Sequence, residues 1–138
     1  MKKIMFLCTA NSCRSQMAEG FAREYGKGII ETFSAGLFPS YVHPRAIEVM
    51  KETGIDISNQ KSKAIDEKIL KQMDIIITLC GHAEAMCPMT PPAIKKIHWP
   101  IEDPVGTTGT EEDIINAFRK ARDEIKIKIQ GLIKDLSL

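Results

Sequence analysis

No charge of either sign dominates this chain: 19 lysines and arginines face 18 acidic residues, a net charge of +1. That balance excludes the basic stripe that nucleic acid or an anionic membrane surface calls for, so neither is an expected partner. Long apolar runs are missing too. The opening "MKKIMFLC" has two lysines and a short apolar run, but it turns polar at "TANSCRSQ", far short of a signal-peptide core. Nothing approaches the roughly 18 consecutive apolar residues of a membrane span. Repeats, low-complexity tracts and linkers are absent, so residues 1–138 are expected to form one domain with a core of its own. A cytoplasmic monomer is the expectation.

Cysteine is scarce, and what there is does not make a disulfide framework. Four cysteines, Cys8, Cys13, Cys80 and Cys87, in a chain able to build a core are expected to be free, catalytic or metal-binding. Cys80 and Cys87 have six residues between them, too wide a gap for a structural zinc pair, so no metal site is predicted from the thiols. The three histidines, His43, His82 and His98, show no spacing that suggests catalysis and are read as solvated or capping. The lone tryptophan, Trp99, reads as core or rim packing.

What is present alternates between strand and helix. Lys3–Leu7 is a short apolar run closed by a polar turn, as in a buried strand. From Ser15 onward Met17, Ala18, Phe21, Ala22 and Tyr25 repeat at helical spacing, with Gly26 as a stop. A strand over Ile29–Ser34 follows. Pro44 then opens a helix whose inner face is Ile47, Val49 and Met50. A short helix near Glu67–Gln72 precedes "DIIITLC", the most strand-like run in the chain, which ends at Cys80. "IKKIHWP" is a weaker fourth strand. Thr110 and Asp113 resemble a capping box with Asp in place of Glu, opening a long helix with Ile114, Phe118, Ile125, Ile129, Leu132 and Leu136 inward. The pattern predicts an α/β domain of three α/β/α layers around a four-stranded parallel sheet, with any site beyond the carboxyl ends of the strands.

Cys8 and Cys80 both fall there. Cys8 opens "CTANSCRS", a loop between a strand and a helix N-terminus. Backbone N–H groups of such a loop converge on one point, and the helix dipole adds about half a positive charge. The candidate anion-binding residues are therefore Thr9, Ala10, Asn11, Ser12, Cys13, Arg14 and Ser15. Arg14 adds a planar fork matched to two oxygens of a tetrahedral oxyanion. A helix N-terminus beside an arginine favours the thiolate of a nearby cysteine, which makes Cys8 a candidate nucleophile. Ser15 is placed to hydrogen-bond that sulfur. The spacing Cys-x5-Arg-Ser is the protein tyrosine phosphatase signature. A leaving-group acid is also needed, and Asp103 of "EDPVG" is the candidate, with Glu102 competing beside it.

The second cysteine pair admits two readings. A helix over residues 81–87 would hold Cys80 and Cys87 roughly 10 Å apart, beyond the reach of a disulfide. Either the pair never bridges, or the segment reorganises when it does.

Taken together, Cys8-x5-Arg14-Ser15, "TLCG" at 78–81, "CPMTPP" at 87–92 and "DP" at 103–104 resemble the thioredoxin-coupled arsenate reductases, over essentially the whole chain. Their fold is that of low-molecular-weight protein tyrosine phosphatases. The resemblance implies that Cys8 attacks arsenate while Asp103 protonates the departing oxygen, with phosphate or sulfate as substrate analogues. It further implies Cys80 as the thiol that resolves the adduct, Cys87 as the thiol that carries the disulfide outward, and thioredoxin as the reductant, with no cofactor required. Cys13 matches a loop position that the family does not use in the relay. Several relatives hold a potassium ion with an Asn, a Glu, a Ser and an Asp. Asn11, Glu19 and Ser34 match three of them, but Lys63 stands where the Asp would fall. The expectation is a tethered ammonium, accepted by Glu19 and Asn11, in place of the ion, with Asp66 as a nearby acid that could restore the site. Two other functions compete: a tyrosine phosphatase using Cys8, Arg14 and Asp103 only, and a non-enzymatic oxyanion sensor.

Overall fold

The computed structural model describes Met1–Leu138 in full. Four strands, β1 (Lys2–Cys8), β2 (Ile30–Gly36), β3 (Ile75–Thr78) and β4 (Lys95–His98), form one parallel sheet in the order β2-β1-β3-β4. Five helices connect and cover them: α1 (Arg14–Tyr25), α2 (Pro44–Lys51), α3 (Glu67–Leu70), α4 (Gly81–Met86) and α5 (Glu111–Leu136). Ile4 to Cys8 are buried without alternation, and so are all four residues of β3. A strand buried on consecutive residues must be covered on both faces, which is the three-layer arrangement expected of the sequence.

The element boundaries shift by one to three residues from those the pattern predicts. β2 starts at Ile30 and runs on to Gly36; β3 stops at Thr78, leaving Leu79 and Cys80 beyond the ladder. Along α2 Val49 and Met50 are buried as expected, but the third buried residue is Ala46, whereas Ile47 is only half-buried. Helical spacing alone could not decide between two apolar neighbours 100° apart on the wheel. On α5 the buried stripe is Phe118, Ala121, Ile125, Ile129 and Leu132, while Ile114 and Leu136 lie half-buried towards its ends. The capping box is present: Asp113 N–H donates to Thr110 Oγ1 at 3.1 Å, and Thr110 N–H donates to Asp113 Oδ2 at 3.0 Å. Trp99 packs at the rim, its ring 6.3 Å from that of Phe6, with the Lys128 ammonium 5.9 Å over its face.

Glu52, just past α2, clasps α5. It accepts from Arg119 Nη2 at 2.7 Å and from Arg122 Nη1 at 2.6 Å, and Arg122 also caps the Val49 carbonyl at 3.0 Å. The Arg119 hydrogen bonds, with Arg122 adding to them, hold the Glu52 carboxyl down at about 2 against the opposing effect of burial. A depressed carboxyl contributes stability above its unfolded value, about 4.3, and loses that contribution as pH falls through its folded value. Glu52→Gln should therefore cost at most about 1 kcal/mol in urea unfolding at pH 7, the range of solvent-accessible ion pairs. The difference from the parent should shrink below pH 5 and vanish near pH 2; a difference constant with pH would contradict the clasp.

Candidate active site

β1 delivers the chain to the loop Cys8–Arg14 at the carboxyl edge of the sheet, and the way the loop is held decides what it can bind. Every carbonyl from Cys8 to Ser12 is pulled outward by a donor from elsewhere. Cys8 O accepts from Leu37 N–H (3.3 Å), Thr9 O from Phe38 N–H (2.8 Å) and Ser12 O from His43 N–H (2.9 Å). Ala10 O accepts from the Ser62 hydroxyl (2.8 Å), and Asn11 O from the Gln16 amide (3.0 Å). The N–H groups of Thr9 to Cys13, in contrast, donate to no group of the protein. Five amides left free on the inner side of a turn make an anion cradle. The turn requires Asn11 in the left-handed region, φ 49°, and its side chain braces it there, donating to Ser15 Oγ at 2.7 Å and accepting Lys63 N–H at 2.9 Å. Gly36 lets β2 approach the loop: a Cβ there would lie 2.6 Å from the Asn11 nitrogen.

Cys8 lies buried at the base of the cradle, its sulfur 3.0 Å from Ser15 Oγ. Arg14, the first residue of α1, is only 7% exposed. Burying a guanidinium is costly unless its N–H groups are paired. Nη1 donates to the carbonyls of Ile101 (2.8 Å) and Leu79 (3.3 Å), and Nη2 lies 3.6 Å from Asp103 Oδ2. Of the two candidate carboxylates, Asp103 lines the pocket above Cys8 and Glu102 does not; both line a second pocket beside Lys120 and Glu124. The pocket over Cys8 holds about 400 Å³ and is walled by Tyr41, His43, His82, Asp103 and Val105.

His43 does more than the sequence reveals. It caps α2, its Nδ1 accepting Arg45 N–H at 3.1 Å, as a capping reading expects. Its backbone also restrains the anion loop, and its ring packs 4.9 Å from Phe118. Burial, aided by Arg45, holds this imidazole below the usual range, with Asp103 opposing. The pocket-lining role left no signal in the sequence because the contact spans separate elements.

Cys80 stands one strand away from Cys8, since β1 and β3 are neighbours with Leu7 opposite Thr78. Its buried sulfur lies 3.2 Å from Thr9 Oγ1 of the anion loop and accepts Ala83 N–H at 3.3 Å, so it is the N-cap of α4. Cys87 closes the other end of that helix, half-buried. α4 therefore holds the two sulfurs' backbones roughly 10 Å apart along its axis, outside disulfide range. All four thiols are free. Burial raises the Cys87 thiol above its ordinary value, with Lys96 opposing and Glu84 adding to the effect. Burial raises Cys13 further still, reinforced by the charges of Cys8 and Asp103 against Arg14.

Beneath the loop, Lys63 Nζ donates to Lys61 O (2.6 Å) and Ser34 Oγ (3.4 Å) and lies 4.0 Å from Glu19 Oε2, while Ser34 donates to the same carboxylate oxygen at 2.6 Å. The expected pairing with Glu19 is present. The expected one with Asn11 is not: the Asn11 carbonyl takes the backbone N–H of Lys63, because the loop needs that acceptor as a brace. Asp66 is occupied elsewhere, capping α3 through Lys68 N–H at 2.9 Å.

This combination of a parallel sheet, a strand-loop-helix amide cradle and a Cys-Arg pair defines a class. The family model of low molecular weight phosphotyrosine protein phosphatases matches residues 3–138, and the chain belongs to that family. Within it, the chain belongs with the arsenate reductases. It is 52% identical to the arsenate reductase of Bacillus subtilis over 124 residues, 90% of this chain and 89% of that one. A solved arsenate reductase in a phosphate-binding state superposes with a TM-score of 0.81 at 41% identity, covering 99% of both chains. A thioredoxin-dependent arsenate reductase of Corynebacterium glutamicum also superposes, with a TM-score of 0.81 at 27% identity, over 99% of this chain and 62% of that one.

The thiols differ enough to be ranked. Alkylation of the reduced protein with iodoacetamide at pH 7, followed by peptide mass mapping, should leave Cys13 as the last thiol modified. Cys13 reacting ahead of Cys87 would contradict its burial.

Proposed function

We propose that this chain reduces arsenate to arsenite through a relay of Cys8, Cys80 and Cys87, with thioredoxin as the final reductant. The observation that carries it is the juxtaposition of two buried sulfurs at and just past the ends of adjacent strands, Cys8 beneath a free amide cradle and Cys80 in contact with Thr9, the next residue of that cradle. A phosphatase needs only the cradle, Cys8, Arg14 and Asp103; that reading leaves Cys80 and Cys87 without work.

The steps follow from the groups present. The amides of Thr9 to Cys13 and the Arg14 fork hold the oxyanion. Cys8 attacks arsenic, an S–As bond forms, and the departing oxygen leaves with a proton from Asp103. Cys80 then attacks the Cys8 sulfur. The electron pair of the S–As bond goes to arsenic, which leaves as arsenite, and a Cys8–Cys80 disulfide remains. Cys87 attacks Cys80, freeing Cys8 and moving the disulfide to Cys80–Cys87. A dithiol partner, thioredoxin, reduces that bond by the same exchange chemistry. Four thiols of this kind persist in a reducing compartment, which favours the cytoplasm. No helix is long and apolar enough to cross a membrane. We read the working form as a monomer, since every group named lies on one chain.

The Lys63 ammonium stands as a fixed cation under the cradle, and we read it as removing the need for a potassium ion.

Two outcomes are expected. Arsenate-dependent oxidation of reduced thioredoxin should be lost in Cys8→Ser, Cys80→Ser and Cys87→Ser alike; turnover retained with thioredoxin in Cys87→Ser breaks the relay. The parent rate should be equal in sodium and potassium buffers of matched ionic strength, and a several-fold stimulation by potassium would overturn the role given to Lys63.

A further inference from the structure

The relay requires α4 to unwind, and very little holds it. It has six residues, of which only Ala83 is buried, and Met86 is 56% exposed. Its N-terminal cap is the Cys80 sulfur itself. When that sulfur enters a disulfide with Cys8 the cap is lost, so the first oxidation already loosens the first turn. One side chain of α4 remains fastened to the sheet. Thr78 Oγ1 donates to Glu84 Oε2 at 2.6 Å, and His98 Nδ1 lies 2.9 Å from the same hydroxyl and 3.7 Å from the carboxylate.

The proton count orients this chain. A threonine hydroxyl has one hydrogen, and the short contact to an acceptor-only carboxylate uses it. His98 must then donate through Nδ1–H to Thr78, giving a directed series from imidazole to hydroxyl to carboxylate. Such series polarise one another, and their charged end makes the strongest bond. Thr78 is buried at the end of β3 and His98 ends β4, so the anchor is part of the rigid sheet while Glu84 rides on the short helix.

We propose that the series His98–Thr78–Glu84 is the latch that holds α4 closed in the dithiol form and sets the equilibrium of the Cys80–Cys87 exchange, making Thr78 and Glu84 positioning residues of the relay. This rests on the relay proposed above. The latch contacts require helical α4, and a Cys80–Cys87 disulfide requires it unwound, so they stabilise both the dithiol and the Cys8–Cys80 disulfide against the Cys80–Cys87 disulfide. In the exchange the Cys87 sulfur bonds to Cys80, the Cys8–Cys80 bond breaks, Cys8 departs as thiolate and the Cys87 proton goes to solvent. No electrons are gained or lost by the chain, and the latch biases only which disulfide the chain keeps.

The test uses a Cys8→Ser background, which leaves Cys87 as the thiol the proposed relay pairs with Cys80, equilibrated against mixtures of reduced and oxidised dithiothreitol and read by alkylation and mass mapping. Thr78→Val cuts the latch while keeping both the volume and the Glu84 charge. It should favour the disulfide about five-fold, a potential lower by about 20 mV. Amide exchange of residues 83–87 should quicken in the reduced form only. Glu84→Ala should act in the same direction, and Glu84→Gln, which keeps an acceptor, less strongly. Disulfide ratios and exchange rates unchanged in both Thr78→Val and Glu84→Ala would overturn the latch while leaving the relay intact. A background protein that forms no Cys80–Cys87 bond at any dithiothreitol ratio would remove the relay and the latch together.

Discussion

A buried guanidinium organises this molecule. Arg14 begins α1, yet its N–H groups reach the carbonyl of Leu79 beyond β3, the carbonyl of Ile101 beyond β4, and the carboxylate of Asp103. The segments that follow β3 and β4 are thereby drawn to the start of α1 at the carboxyl edge of the sheet. A charge with so little exposure must have its donors satisfied, and here two backbone carbonyls take Nη1 without neutralising it, while the Asp103 carboxylate stands 3.6 Å from Nη2. The guanidinium thus lies beside the cradle, where an oxyanion would share it with Asp103. The same contacts turn Asp103, itself half-exposed, toward the pocket over Cys8, and fix the segment after β3 in which Cys80 sits.

The cradle obeys a complementary rule. Its carbonyls are each held by a donor outside the loop, and its amides are left free, so the loop carries its electropositive side inward before any ligand arrives. Preorganisation of this kind costs nothing at the moment of binding. Cys80 adds a second economy of design, serving at once as helix cap and as thiol, so chemistry at that sulfur is coupled to the conformation of α4.

Much of this was legible in the sequence because it was local. Cys8, Arg14 and Ser15 lie within eight residues, the strands are continuous apolar runs, and the Thr110 cap and Phe118 stripe follow helical spacing. The contacts that complete the site are not local. Thr9 meets Cys80 across 71 positions, and Arg14 meets Ile101 across 87. His43 looked like a capping residue and is one, yet its contacts with the loop and with Phe118 depend on how α2 and α5 dock. For Lys63 the spacing identified the neighbours but not the division of labour: Asn11 takes the backbone N–H and Ser34 the ammonium. Patterns of one residue in a row cannot say which atom of a side chain faces inward.

In the proposed relay two thiols at the sheet edge and one at the end of α4 pass a single disulfide outward as arsenate is reduced. The most direct measurement is a single turnover: reduced protein mixed with excess arsenate without any other reductant, quenched with an alkylating agent, and mapped for disulfides alongside arsenite. One arsenite per chain, a Cys80–Cys87 linkage, and Cys8 recovered as an alkylated thiol are the expected products of the relay. Arsenite released with Cys80 and Cys87 both alkylated, or no arsenite at all from fully reduced protein, would contradict it.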